Sequence, residues 1–444
     1  MTLIEELRQR GLCYAMTDDA LEQKLEQETL TFYLGADASA DSLHIGHLVP
    51  YIVARHLAFR GHQPILLVGG GTALVGDPSG KKEERTLLDE AEVASNADAM
   101  TKQVMRLLPN ATIVNNFDWI KDYSLIGFLR NHGKHFGLNQ MLAKDSVKSR
   151  LETGISFAEF TYQILQSVDF WELYRNHGCT LQIGGQDQWG NITAGLELIR
   201  RTEGAEAKAY GMVAPLLTKA DGTKFGKTEE GTVWLSPERT SPYAFYQHFI
   251  NVDDADVIDR LKQFTMLSLE RISELEHATK ENPHLREAQR VLAHELTRYV
   301  HGDDALKQAE NITEALFNND VTSLSEAELA MAFEGIDAHA VKGEISLVDA
   351  LIGCGLATSR RDARTMITQR AVSLNGNKVA DEALMLTPDT ALHGTTHVLR
   401  RGKKRYGVIR HKVVRVHNRP QNQTIPDETD SKSSKKKKDI QKVS

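Results

Sequence analysis

The chain has 444 residues, enough for two or three domains, and its 41% hydrophobic content can fill a sizeable core. Its cysteines, Cys13, Cys179 and Cys354, are odd in number and far apart, which excludes a disulfide framework and a C-x-x-C site and points to a reducing, cytoplasmic setting. No apolar run nears the ~18 residues that span a bilayer, so no membrane role is expected.

The net charge of -7 is unevenly spread. From Ser346 to Arg410, eleven Lys and Arg stand against five Asp and Glu, and from His411 to Ser444 nine stand against four. The first 345 residues therefore carry -18. An acidic body with a basic end suits small-molecule chemistry joined to nucleic-acid contact.

Residues 1–30 read as two amphipathic helices, acidic-basic and without a signal-peptide core. Strand patterns follow at Thr31–Leu34, Ile65–Gly69, Ala111–Asn115 and Thr180–Gly184, with helical patterns between them. Such alternation predicts an α/β fold with a doubly wound, Rossmann-like parallel sheet. The stretch from about 116 to 180 is too long for one crossover and predicts a helical insertion. The catalytic region is expected over 1–235 and a helical domain over 236–320, with an apolar stripe at Leu285, Val291, Leu292 and Leu296. A linker over 321–345 leads to a basic α+β module over 346–410. The Lys-rich tail, 411–444, cannot bury a core and is expected to be disordered.

Chemistry concentrates in a few stretches. Tyr33 to His47 reads Y-L-G-A-D-A-S-A-D-S-L-H-I-G-H. A strand breaks at Gly35 and a helix opens near His44 and His47, a place attractive to phosphate. A lone H-x-G-H also recurs by chance in loops. Gly69 to Arg85, G-G-G-T-A-L-V-G-D-P-S-G-K-K-E-E-R, follows a strand and offers Asp77 to an ammonium and Lys81, Lys82 and Arg85 to phosphate. On the helix around 157–173, Tyr162, Gln166 and Asp169 share one face. Periodicity alone would make that face solvated; a phenol, an amide and a carboxylate in line suit a small amphoteric ligand. Leu181 to Asn191, L-Q-I-G-G-Q-D-Q-W-G-N, sets Gln182 at a strand end before two glycines, with Asp187 and Gln188 able to bond hydroxyls. Lys224 to Thr228, K-F-G-K-T, puts two lysines where charge on a leaving group could be neutralised.

Taken together and in this order, these five stretches resemble the bacterial tyrosyl-tRNA synthetases, class I aminoacyl-tRNA synthetases. The resemblance covers nearly all of residues 1–410. It implies ATP with Mg2+ as substrate and no dedicated metal site, L-tyrosine and its tRNA as further substrates, and a homodimer built through the inserted helices. It implies that His44 and His47 act on the transferring phosphate. Lys81, Arg85, Lys224, Lys227 and Thr228 would close on pyrophosphate. Asp77, Tyr162 and Gln166 would hold the substrate ammonium, and Tyr33 and Asp169 its phenol, with Gln182 nearby. Gly35, Asp37, Ser39, Gly46, Gly185, Asp187 and Gln188 would line the nucleotide, with Leu216 and Leu217 beside adenine. Ala38 and Ser39 stand where many relatives carry Pro and Thr.

The basic module resembles the RNA-binding domain named after ribosomal small-subunit protein S-four. Ser359 can cap a helix bearing Arg360, Arg361 and Arg364, and Val372 to Val379 reads as a hairpin with an Asn-Gly turn. Arg370, Arg400, Arg401, Lys403, Lys404 and Arg405 add RNA-binding candidates. Two rivals stay open: a tryptophanyl enzyme, and a non-catalytic RNA-binding protein that keeps a synthetase-like body.

Overall fold

A six-stranded sheet organises the first of two units into which the chain divides, Met1–Gly335 and Ile336–Ser444. The computed structural model describes residues 1–79, 87–148, 150, 151, 154–218, 225, 227, 228, 231–402 and 405–412. The strands are β1 (Ala15–Met16), β2 (Thr31–Asp37), β3 (Gln63–Gly69), β4 (Thr112–Asn115), β5 (Cys179–Gly185) and β6 (Tyr210–Ala214). They lie in the order β1-β6-β5-β2-β3-β4. All neighbours run parallel except β1, which is antiparallel to β6. The sheet is thus parallel-rich but mixed at one edge.

Two strands escape the sequence pattern. In β6 every residue is buried, so no polar alternation marks it. β1 has only two residues and exists through its backbone bonds to β6.

Chain order reverses between β2 and β5. From β2 the chain winds outward through β3 and β4, then returns to β5 on the other side of β2. Doubly wound sheets bind ligands at the carboxyl ends of strands at such a point. Register sets Tyr33 opposite both Ile65 and Gln182, and Asp37 opposite Gly69.

The two faces carry different cores. Phe32, Leu34, Leu66, Val68, Leu181 and Ile183 pack against the helices Leu48–Phe59 and Glu90–Leu107. Tyr33, Ile65, Leu67 and Cys179 pack against Phe170, Leu173 and Ile199, from the helices Phe157–His177 and Trp189–Glu203. The insertion is helical: Phe117–Ile120, Leu125–Asn131 and Leu138–Leu142 precede the long 157–177 helix. A buried Arg150–Glu159 ion pair, 3.0 Å, fixes the first turn of that helix.

Short strands β7 (Lys227–Thr228) and β8 (Gly231–Thr232) then pair with each other. Helices Pro242–Ile250, Asp254–Phe264, Leu269–Glu281, Glu287–His301 and Asp303–Asn318 follow, and their Phe245, Phe249, Leu292 and Leu296 join the core of the first sheet face. Leu285 departs from the expected stripe: it lies in the 3-10 turn Pro283–Leu285 and is exposed, because Pro283 ends the helical run before it.

The second unit holds β9 (His339–Val341), β10 (Ile345–Ser346), β11 (Val372–Leu374), β12 (Asn377–Lys378), β13 (Met385–Leu386), β14 (Thr396–Arg401) and β15 (Arg405–His411). Its main sheet has the order β12-β11-β14-β15-β9. β9 comes from the stretch read as linker; three residues pairing through backbone leave no side-chain pattern to read. The β11–β12 hairpin turns through Asn375 and Gly376, both at positive φ, which an Asn-Gly pair tolerates. Ser359 caps the helix Arg360–Thr368, and Ala363, Met366 and Ile367 point into the unit's core. The tail from 413 onward lies outside the described residues.

Candidate active site

The carboxyl end of β2 brings the first group together. Side chains alternate along a strand, so Tyr33, Gly35 and Asp37 share one face. Tyr33 is 1% exposed and its ring sits 5.3 Å from that of Phe170. Its hydroxyl is buried and finds no hydrogen-bond partner. Burial raises its pKa well above the usual phenol range, and the nearby Asp169 carboxylate raises it further. The side-chain amide oxygen of Gln182, Oε1, is also buried without a hydrogen-bond partner, and Gln182 is Tyr33's neighbour in the sheet. Buried polar atoms are normally satisfied. Two orphans side by side mark where a ligand's polar atoms belong.

Asp169 is satisfied on both oxygens. Trp119 Nε1 donates to Oδ1 at 2.8 Å and Asn116 Nδ2 to Oδ2 at 2.9 Å. Burial pushes its carboxyl up to about 7, while these two bonds pull it down. The network continues outward. Asn116 Nδ2 also reaches Thr72 Oγ1 at 2.9 Å, and the Thr72 hydroxyl donates to Asp37 Oδ1 at 2.7 Å. The Tyr162 hydroxyl donates to the other oxygen of Asp37 at 2.8 Å. Tyr162 and Asp169 are buried, so the face they share is not the solvated one.

A second network runs through Asp77. Gln188 Nε2 donates to its Oδ2 at 2.7 Å, and the Ser79 amide to its Oδ1 at 2.9 Å. Asn191 Nδ2 lies 3.0 Å from Gln166 Oε1 and 3.1 Å from Gln188 Oε1. The structure thus gathers Tyr33, Asp37, Asp77, Tyr162, Gln166, Asp169, Gln182 and Gln188 at one edge of the sheet.

The histidine motif has a defined tautomer. The Gly46 amide donates to His44 Nδ1 at 3.1 Å, and the His44 amide donates to His47 Nδ1 at 3.2 Å. Each neutral ring therefore carries its proton on Nε2, and the two rings stack with centroids 3.9 Å apart. A Cβ at Gly46 would stand 2.8 Å from His44 Cε1, so only glycine lets the ring fold back. The pair offers two N–H donors at the start of the Leu48–Phe59 helix, a setting that suits phosphate.

The remaining candidates scatter more widely. Ser39, Gly35 and Asp187 are exposed, and Gly185 is half-buried. Leu216 is exposed, whereas Leu217 packs on the core. Lys227 and Thr228 form β7. Lys81, Lys82, Arg85 and Lys224 lie outside the described residues, as do Lys403 and Lys404.

In the second unit, Arg361 and Arg364 line a cavity of about 380 Å³ with Thr365, Thr368 and Gln369. Arg360 pairs with Asp349 at 2.8 Å, and Arg364 stands 3.7 Å from Glu382. Arg370 takes a positive φ. Arg401 donates to the Leu356 carbonyl at 2.8 Å, Arg405 to that of Gly355 at 3.5 Å, and Arg400 lies over the Tyr406 ring.

Sequence reasoning missed Thr72, Asn116, Trp119 and Asn191. They bond other side chains rather than opening a motif of their own, and Thr72, Asn116 and Asp169 are distant in the chain. Asn191 ends a stretch already singled out, and its place one turn past Gln188 was the available signal.

Residues 25–318 match the family model described as tRNA synthetases class I (W and Y), and residues 328–409 match that of the tyrosine–tRNA ligase SYY-like C-terminal domain. The chain is 51% identical over 419 residues to a tyrosine–tRNA ligase of Geobacillus stearothermophilus, covering 93% of this chain and 100% of that one. It is 47% identical, with the same coverage, to one of Listeria welshimeri. Among solved structures, a C-terminally truncated mitochondrial tyrosyl-tRNA synthetase of Aspergillus nidulans superposes with a TM-score of 0.64 at 30% identity, over 71% of this chain and 94% of that one.

Proposed function

Because the chain belongs to the class I tRNA synthetases, and within them to the tyrosine–tRNA ligases, we propose that its two polar networks divide one tyrosine between them. The enzyme activates L-tyrosine with ATP to tyrosyl-adenylate and pyrophosphate, then passes the tyrosyl group to the 3'-terminal adenosine of its tRNA.

The Tyr33 hydroxyl carries this reading. It is buried, unpartnered and close to Asp169. A phenol oxygen seated there donates its proton to Asp169 and accepts one from Tyr33, and the orphan is satisfied. Gln182 offers its unpartnered carbonyl to the same substrate. At the other end, Asp77, Tyr162 and Gln166 supply a carboxylate and two oxygens to the ammonium. This leaves the substrate carboxylate near the end of β2, beside the histidines.

The tyrosine carboxylate attacks the α-phosphorus of ATP, and the bond to pyrophosphate breaks. The tRNA ribose hydroxyl then attacks the activated carbonyl, and AMP leaves. Both nucleophiles belong to substrates, so the protein contributes placement and charge stabilisation. His44 and His47 donate to phosphate oxygens through Nε2. Gly35, Asp37, Ser39, Gly46, Gly185, Asp187 and Gln188 line the nucleotide, with Leu216 and Leu217 at adenine. Lys81, Arg85, Lys224, Lys227 and Thr228 neutralise the departing pyrophosphate, and ATP brings Mg2+ with it. ATP–pyrophosphate exchange measured with each of the twenty amino acids tests the assignment. Tyrosine alone should support it; exchange with tryptophan instead would overturn the reading.

The raised carboxyl of Asp169 gives a pH dependence. Folding holds this proton more tightly than the unfolded chain does. That contribution to stability is full below ~4, the unfolded value, and is lost as pH rises through about 7. Tyrosine binding needs the anion as acceptor and moves the other way. Its dissociation constant should fall by nearly tenfold per pH unit below about 7 and level off above, in equilibrium dialysis from pH 5.5 to 8.5. A flat profile would contradict Asp169 as the phenol's acceptor.

The basic unit binds the tRNA. Arg361→Gln with Arg364→Gln should weaken tRNA affinity roughly tenfold and lower the salt slope by about 1–2, with tyrosine-dependent exchange unchanged. An unchanged affinity for tRNA would remove this helix from the interface.

We further infer a homodimer through the insertion. Leu125 and Ile126 are each 72% exposed, and Leu138 and Phe157 are exposed as well. Exposed apolar side chains on successive helices of the insertion suit a second copy of the chain. Ile126→Asp should shift sedimentation toward the monomer; a species already monomeric in the unaltered protein would contradict the dimer. The three free thiols suit the cytoplasm.

A further inference from the structure

We propose that Trp234 is a positioning residue for His44, and that through it the strand leaving the K-F-G-K-T stretch sets the histidine's place on the triphosphate. The inference rests on the assignment of His44 to phosphate. β8 continues into Val233–Leu235, which pairs with the histidine motif itself. The Ile45 amide donates to the Val233 carbonyl at 3.1 Å, and the Leu235 amide to the Leu43 carbonyl at 2.8 Å. These bonds make His44 and Trp234 directly opposed in an antiparallel bridge. In such a pair the side chains stand on the same face. The Trp234 ring meets the His44 ring edge-on, at 6.0 Å between centroids, on top of the stacking of His44 with His47.

Trp234 is itself held. Its amide donates to Thr240 Oγ1 at 3.0 Å, and the Arg239 guanidinium lies 4.4 Å from its ring centroid. Arg239 pairs in turn with Asp41 at 2.5 Å, in the loop that leads from β2 to His44. The same loop is pinned from behind. Gln103 accepts the Leu43 amide and donates to Ser42 Oγ, which also accepts the Ser236 amide. His44 thus cannot shift without moving Trp234, and Trp234 lies six residues after Thr228. Asp169 and Asp77 are held by other groups, Trp119 and Asn116 for the first and Gln188 and the Ser79 amide for the second.

The test is a double-mutant cycle on tyrosyl-adenylate formation, followed by rapid quench with labelled ATP. Trp234→Ala should slow the step roughly thirtyfold, the scale of losing a catalytic group's alignment, with tyrosine affinity in equilibrium dialysis unchanged. Trp234→Phe should recover most of the rate, since an aromatic edge still meets His44. Trp234→Ala in a His44→Ala background should cost no more than about threefold further, because the residue acts through His44. A Trp234→Ala rate near that of the unaltered enzyme, or losses that multiply in the double variant, would overturn the inference while leaving the histidine assignment intact. A normal rate for His44→Ala alone would overturn the histidine assignment, and the inference with it. Should Trp234→Ala bind tyrosine poorly, Trp234→Leu takes its place in the cycle under the same criteria.

Discussion

Asp169→Asn is expected to lower kcat/KM for tyrosine in pyrophosphate exchange by about a thousandfold. The carboxylate has two donors already, Trp119 Nε1 and Asn116 Nδ2, one on each oxygen. An amide has only one acceptor atom. Its NH2 group must then face one of those N–H donors inside a buried site. The substrate hydroxyl then loses its charged acceptor as well. Each buried polar group left unpaired costs about 1–3 kcal/mol, more for charged partners, so two such losses reach the thousandfold scale. Phenylalanine has no hydroxyl to lose, so its own efficiency should change far less. Asp169→Asn should also abolish the pH dependence of tyrosine binding. A variant that keeps near-normal efficiency would show that the phenol finds its acceptor elsewhere.

Lys227→Ala is expected to slow tyrosyl-adenylate formation by roughly a hundredfold, typical of losing one stabiliser of developing charge. Lys227 and Thr228 form β7, which pairs with β8, and β8 runs on to the bridge at His44. Backbone pairing therefore ties the second lysine's strand to the histidines proposed to hold the same phosphates. In the proposed role the lysine acts on the leaving group, and the tyrosine networks sit on other elements. Tyrosine affinity should stay within about twofold, while the rate of the chemical step falls. An equal loss in tyrosine binding would place Lys227 in the amino-acid site rather than at pyrophosphate.

What could be read from the sequence follows from where its chemistry is local. Tyr33 to His47 announces a strand and a helix start within fifteen residues, and the fold has that order; the break expected at Gly35 does not occur, because Gly35 pairs with Leu67 and β2 runs on to Asp37. Tyr162 and Asp169 stand out as unusual choices on one helix face. Their partners did not stand out. Asn116 reaches Asp169 only because β4 ends beside β3, and Thr72 reaches Asp37 only because β3 pairs with β2. Such contacts depend on strand order, which a single sequence encodes diffusely. The same holds for β6, whose burial on both faces erases alternation, and for β9, a three-residue strand defined by its pairing. Trp234 belongs to none of the motifs legible in the sequence; its place opposite His44 appears only once the bridge is seen.

The central claim is that Tyr33 and Asp169 together recognise a phenol, and its most direct test is the Tyr33→Phe enzyme. The change removes one buried hydroxyl and keeps the ring that packs against Phe170. The measurement is kcat/KM for tyrosine divided by that for phenylalanine, both from pyrophosphate exchange. Losing one neutral hydrogen bond of about 1 kcal/mol should lower this ratio roughly fivefold to tenfold, with the efficiency for phenylalanine held or raised. A Tyr33→Phe enzyme whose ratio equals that of the unaltered protein would contradict the claim.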